Sequence, residues 1–269
     1  GMVPSFMSGP MADGPASFQL MPVEGPMGRR MADVRLAFGL LAGRDPRDPY
    51  SVPVPVGSPR DSNRPLRVAV LASPPGGSTD PRVADRVRAA ADALANSGYE
   101  VTEDGPPRFE DAAKTWFDFI GEDIRFMGPM ITPIMSDTAN AFLGALLDSI
   151  PPVDLAGYNQ ILMTRQALMR EWGMWFTNTD LVLTPTWTQI PFEHGWDAPN
   201  ALATIEMMRC VTIANLLGLP SACVPAGLVD GVPVGVLLTG DRFADDKTMD
   251  AAEVVEAALG LPTPIDPLT

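Results

Sequence analysis

The stretch 201–259 constrains the fold most. Helix, strand, tight-turn, strand and helix signals follow one another there without a gap. Met207, Met208, Val211, Ala214, Asn215 and Leu217 recur at helical spacing, and Gly218 supplies a C-terminal stop. A short apolar run, Ala222 to Pro225, comes next. Asp230-Gly231 is a tight-turn dipeptide, and Val234 to Leu238 is an apolar run of strand length. Asp245 then opens a last helix with Met249, Ala252, Val255 and Leu259 on one side. Helices and strands alternating in this way point to an α/β architecture.

The rest of the chain repeats the theme. Residues 1–28 are rich in Gly, Pro and Met and too apolar for a free tail, so they are expected to lie across another part of the fold. Met27, Met31, Val34, Phe38 and Leu41 predict an amphipathic helix ending at Gly43. A Pro-, Asp- and Ser-rich connection, 44–64, follows, extended at Val52-Pro53-Val54-Pro55. Leu66 to Ala72 reads as a buried strand. Asp80-Pro81 is an N-cap and first-turn pair for a helix carrying Val83, Val87, Ala90, Ala91 and Leu94 and ending at Gly98. With Tyr99 to Thr102 as the next strand, this is a βαβ unit, expected to be parallel with a right-handed crossover. Helices are predicted over 109–127, 137–147 and 155–176, the last with Arg165 on an otherwise apolar seam. Leu181 to Thr184 is a short strand ended by Pro185. A loop, 186–200, carries Trp187, His194 and Trp196.

Charge narrows the possible partners. The 269 residues hold 33 acidic and 19 basic side chains, a net charge of −14. Phosphate neutralisation needs clustered Lys and Arg, so neither nucleic acid nor an anionic membrane surface is expected as a partner. Lys114 and Lys247 are the only lysines. No run of eighteen apolar residues and no signal pattern is visible, which makes a cytoplasmic location the default expectation. Cys210 and Cys223 read as two buried thiols rather than a disulfide framework.

Candidate chemistry is sparse. Gly76-Gly77-Ser78 lies between a strand and a helix, where a phosphate cradle or a nucleophile could sit. No Lys follows it, and a flexible connection into the Asp80 cap is the simpler reading. A Ser-His-Asp triad would have to use His194, the single histidine, and no Ser elbow accompanies it. One His and no Cys cluster leave no expected metal site, and no cofactor motif is present. Asp45, Asp48, Asp245 and Asp246 sit in loops and caps. Cys223 lacks a flanking base that would activate it. The Met- and Trp-rich helix 155–176 reads as core or as the lining of an apolar pocket.

Several segments resemble the amidase signature family. Asn215 to Gly227 (NLLGLPSACVPAG), Gly231 to Gly240 (GVPVGVLLTG) and Arg242-Phe243 are similar to that family's C-terminal region. Asp180 to Thr186 (DLVLTPT) resembles an earlier strand and loop. Glu24 to Arg29 with Asp33, then Leu41 to Pro46, resemble the helix after the signature, and Leu66 to Thr102 its βαβ unit. Gly1 to Phe6 is similar to the end of the signature itself. The likeness is weakest over 105–178, which in that family is variable and shapes the substrate pocket.

The resemblance implies a mixed β-sheet flanked by helices, an α/β fold lacking the N-terminal part of the family's fold, with 1–269 as a single domain and 105–178 as its variable helical region. It implies hydrolysis of an amide carbon–nitrogen bond by a Ser nucleophile, a second Ser in a cis peptide and a Lys base. Those three belong to the part of the family that precedes Gly1, and neither Lys114 nor Lys247 matches the base. No catalytic residue carries over. The chain is expected to supply the C-terminal sheet and a substrate-pocket wall, with Thr184, Pro185, Thr186, Trp187 and Trp172 as pocket candidates, and to be inactive alone. Its partners would be a small-molecule amide, once the other half is supplied, and a second copy or another chain covering an exposed sheet surface. The alternatives are a non-enzymatic family member that binds a small molecule or self-associates, and a distinct enzyme using His194 or Cys223.

Overall fold

In the computed structural model, which describes residues 1–6, 13–57 and 64–260, a five-stranded sheet separates two apolar cores. The strands are β1 (Arg67–Val70), β2 (Glu100–Glu103), β3 (Leu181–Pro185), β4 (Ser221–Val229) and β5 (Val232–Gly240), in the order β2-β1-β3-β5-β4. β1 is parallel to β2 and β3, with Val68 opposite Val101 and Leu181. β5 runs antiparallel to both β3 and β4. The sheet is mixed, as the resemblance implies.

The helices are α1 (Ala16–Leu20), α2 (Met31–Leu41), α3 (Pro81–Asn96), α4 (Phe109–Ile131), α5 (Asp137–Ser149), α6 (Leu155–Phe176), α7 (Ala201–Met207), α8 (Arg209–Leu217) and α9 (Asp245–Leu259). One face of the sheet packs on α2, α3 and α9 through Phe38, Val87, Leu94, Ala252 and Val255 against Val68, Leu183 and Leu238. The other face packs on α4, α6 and α8 through Phe119, Leu168, Trp172, Ile213 and Leu216 against Val182 and Leu237. Successive strand residues point to opposite faces, so Leu181 and Leu183 serve the first core while Val182 serves the second.

Local chemistry sets the boundaries. Asp80 caps α3 by accepting the Arg82 N–H, and Pro81 occupies the first turn, where its missing donor costs nothing. The five apolar α3 positions are all buried. Ser136 and Asp154 cap α5 and α6 in the same way. Gly218, at φ 67°, ends α8 in the left-handed region. Asp230 and Gly231 both have positive φ, as a two-residue hairpin turn between β4 and β5 requires.

Residues 1–6 and 13–28 lie across the fold, as expected for the N-terminal segment. Met2 enters the first core and Met21 the second. Asp123, buried on α4, accepts the Ser17 N–H at 2.6 Å and the Tyr158 hydroxyl at 2.8 Å, which ties the short helix α1 to α4 and α6.

Four expectations need correction. Met27 is fully exposed and precedes α2, whose buried face is Met31 and Phe38. The helix expected through Met207 and Val211 breaks at Met208 into α7 and α8. Pro185 belongs to β3 rather than ending it, since it pairs with Val236. Cys223 is exposed, because β4 alternates and only one of its faces is covered by helices. Among the described residues no helix is long and apolar enough to cross a membrane.

Candidate functional site

Four of the five pocket candidates lie in one place, at the C-terminal end of β3. Thr184 and Pro185 close the strand, buried against β5. The Thr186 N–H donates to the Gly235 carbonyl at 3.0 Å, which keeps the chain beside β5 for one more residue. The Thr186 Oγ1 lies 3.1 Å from the Cys223 Sγ on β4. Beside this pair Ser221 Oγ and Thr239 Oγ1 bond at 2.8 Å. Ser221 and Cys223 are exposed, so the face of the hairpin carrying these groups is open at β4. Trp172 is elsewhere. It is 2% exposed inside the α4/α6/α8 core, its rings against Phe109 and Phe176, and its indole N–H donates to the Pro107 carbonyl at 2.9 Å.

Beyond Thr186 the chain is pinned before it loops out. The Thr188 N–H donates to Met207 O, and Thr188 O accepts the Asp80 N–H. Gln189 Nε2 donates to both the carbonyl and the hydroxyl of Ser78. The loop then brings Trp187, Phe192 and Trp196 together, with ring centroids 5.9 and 5.0 Å apart, and Asn200 fastens its return by donating to the Trp196 carbonyl. His194, at its tip, is exposed.

The Gly76-Gly77-Ser78 segment is a clasped connection. Arg209, 2% exposed at the start of α8, donates to the carbonyls of Pro74, Gly77, Ser78 and Glu206 and to the hydroxyls of Thr79 and Thr188. Its hydrogen bonds all go to neutral acceptors, and burial pulls its pKa below the usual guanidinium value despite the nearby Glu206 carboxylate. The Ser78 N–H is held at 3.0 Å by the Glu206 carboxylate. A phosphate would need that donor, and a carboxylate already fills its place. Gly77, at φ 156°, is required here: a Cβ would sit 2.1 Å from Glu206 Oε1.

The remaining reactive groups are occupied or unreactive. Lys114 pairs with Asp118 at 2.6 Å and Lys247 with Asp180 at 2.8 Å. Burial pushes the Cys210 thiol up to about 12, the nearby Arg209 and Thr184 only partly opposing it. The Cys223 thiol is also raised, because protein packed round the sulfur outweighs the Thr186 hydrogen bond. Both stay protonated at neutral pH, when only a thiolate attacks. Arg209, Glu206 and Phe192 escape a reading of the sequence. The one available signal is an arginine inside the apolar run Met207 to Val211.

Comparison with known proteins matches this architecture. The family model described as Amidase matches residues 1–249. An indoleacetamide hydrolase of Bradyrhizobium japonicum is 33% identical over 266 residues, covering 97% of this chain and 57% of that protein. An indoleacetamide hydrolase of Bradyrhizobium diazoefficiens is 34% identical over 268 residues, covering 97% of this chain and 51% of that protein. The chain thus spans about half the length of the curated relatives it matches. Among solved structures, a bacterial aryl acylamidase of the amidase signature enzymes superposes with a TM-score of 0.75 over 97% of this chain and 57% of its own, at 24% identity. With the family model spanning most of its length and the mixed sheet and flanking helices in agreement, the chain belongs to the amidase signature family.

Proposed function

We propose that this chain forms the C-terminal sheet and one pocket wall of an amide carbon–nitrogen hydrolase, with the nucleophile and base supplied from outside these 269 residues. Family membership and the 33% identity to an indoleacetamide hydrolase support the reaction class. The observation that carries the division of labour is the state of the lysines. A hydroxyl nucleophile needs an adjacent base, and neither lysine serves Ser78, whose partners are Gln189 and Glu206: Lys247 is bound to the buried Asp180, and Lys114 stands on an exposed helix face beside Asp118. Ser78, the imitation of a Gly-Gly-Ser nucleophile, has its hydroxyl bonded to Gln189 and its N–H to Glu206. On this reading 1–269 acts as one α/β domain, 105–178 is its variable part, and Thr184 to Trp187 form the pocket wall. The reading is tested by incubating the purified chain with phenylacetamide and p-nitroacetanilide and measuring ammonia and p-nitroaniline release. No release is expected. Turnover abolished by Ser78→Ala would place the chemistry on this chain after all.

A second reading, a non-enzymatic member that self-associates, has one observation in its favour. β4 is a nine-residue strand at the sheet edge, and among the described residues no strand pairs with its outer side. Such an edge offers backbone donors and acceptors for pairing, apart from the Ala226 carbonyl, which accepts from Arg86 at 2.7 Å, and Pro225, which has no donor. The opposite edge, β2, is four residues long and carries Glu100 and Glu103, which discourages pairing. Sedimentation velocity separates the cases: association weakened by Cys223→Lys supports pairing through β4, and a monomer at all concentrations excludes it.

A further inference from the structure

We propose that the cleft between β2 and the C-terminal end of α6 binds a free α-amino acid with an apolar side chain. It is separate from the pocket wall at the end of β3 and lies at the sheet edge opposite β4.

The cleft arises from the way the second core ends. β2 pairs with β1 in register, Glu100 beside Arg67 and Thr102 beside Ala69. Residues two apart on a strand share a face. Ala69 belongs to the core under α4, α6 and α8, so Arg67, Glu100 and Thr102 face that side too. On the other side Val101 packs into the first core, where α3 covers β2. Under β2 itself the second side is not filled. A cavity of about 320 Å³ remains there, bounded by Glu100, Thr102 and Asp104 on one wall and by Trp175, Asn178 and Thr179 on the other. That volume is at the small end of the roughly 300–1,000 Å³ in which proteins hold small ligands. Among the described residues, no hydrogen bond or ion pair takes up the side chains of Glu100, Thr102, Asp104 or Asn178. Their bonding capacity is open to whatever enters.

Both signs of charge line this space. Arg67 makes one side-chain hydrogen bond, to the Thr177 carbonyl at 3.3 Å. Its Nε has no hydrogen-bond partner and lies 4.0 Å from Asp180. Asp180 is already engaged by Arg64, by Lys247 and by the Arg67 backbone N–H, so it leaves the guanidinium fork underused. A ligand carboxylate completes such a fork. Glu100 and Asp104 offer acceptors for an ammonium group. Trp175 gives the cavity an apolar wall, and its ring is braced edge-on against Phe176 at 5.0 Å.

This combination selects against simpler ligands. A plain amine meets the Arg67 charge with nothing to offset it. A plain carboxylate meets Glu100 and Asp104. A zwitterion answers both, and an apolar side chain can lie along Trp175.

The test uses three ligands that share one apolar tail. The 269-residue chain is titrated by calorimetry with leucine, with isoamylamine, which lacks the carboxylate, and with 4-methylpentanoate, which lacks the ammonium. Leucine is expected to bind about tenfold more tightly than either, since each of the others forfeits one charge-assisted contact. Arg67→Gln and Glu100→Gln are each expected to weaken leucine about tenfold, while Arg67→Gln leaves isoamylamine no weaker. Should Arg67→Gln fail to fold by circular dichroism, Glu100→Gln, on the exposed strand edge, decides alone. Isoamylamine binding as tightly as leucine would overturn the proposal by showing a cation groove only. Absence of saturable leucine binding at millimolar concentration, or leucine binding untouched by the substitutions, would overturn it as well.

Discussion

Asp180 shows how one carboxylate can fasten three segments. Its side chain is 4% exposed and receives Arg64 through two bonds of 2.7 and 3.0 Å, the Arg67 N–H at 2.9 Å and Lys247 at 2.8 Å. Burial alone would raise its pKa, but these partners outweigh burial and hold it well below the usual carboxylate range. A depressed pKa means that the stability it gives is fully present above the unfolded value, about 3.9, and is lost as pH falls from there toward the folded value. Asp180→Asn is expected to cost about 2 kcal/mol at pH 7 by urea unfolding, the partly exposed cations limiting the loss. The gap between the two proteins should narrow progressively as pH falls below about 4, where the unfolded Asp180 takes up a proton first, and close only below its depressed folded value. A pH-independent gap would contradict the ion-pair account. In the sequence Asp180 marks only the residue before a strand, because its partners are spread from 64 to 247. Arg209 is hidden for the same reason: five of its six acceptors are distant in sequence, and helical spacing says nothing about where a long side chain reaches. Asp80-Pro81, by contrast, is legible, since its partner is two residues away.

At the level of elements, local signals succeed where local forces decide. The β4–β5 hairpin follows from Asp230-Gly231, whose φ values of 52° and 79° are those that the turn demands. Gly231→Ala should destabilise the chain by about 1 kcal/mol, because a Cβ is disfavoured at positive φ even where, as here, nothing stands within 4 Å of it. An unchanged urea midpoint would mean that the turn is not held in that conformation. The break between α7 and α8 is the contrary case. Apolar spacing runs straight through Met208, and it is the Arg209 clasp on the 74–79 loop that fixes where α8 begins. Pro129 lies inside α4, so that helix runs past the predicted end at Met127 to Ile131. A Pro removes one donor, and the turn around it is half exposed, where water can satisfy the freed carbonyl. Met27 fits the α2 period and still lies outside the helix, since the Gly25-Pro26-Met27-Gly28 run before Arg30 does not continue it.

For the whole molecule, the sheet divides two apolar cores and ends in one short charged edge and one long open edge. The layered architecture was legible because each strand and helix carries its own periodicity. Exposure was not, since a sequence does not say which face of β4 is covered, and Cys223 therefore reads as buried. The candidate site was less legible, because its members are set by how the loop after β3 packs. Thr184 to Trp187 follow one another at the end of β3, while Trp172 sits in the core and Phe192 joins the rings only through the loop. The proposed reaction class rests on family membership, and the proposal that nucleophile and base come from outside these residues rests on the partners of Ser78 and the two lysines. The most direct test is covalent. The purified chain is treated with a fluorophosphonate, which phosphonylates activated serines, and its intact mass is measured. An unmodified mass is the expected result. A stoichiometric single adduct, at Ser78 or any other serine, would contradict the account by showing an activated nucleophile within these residues.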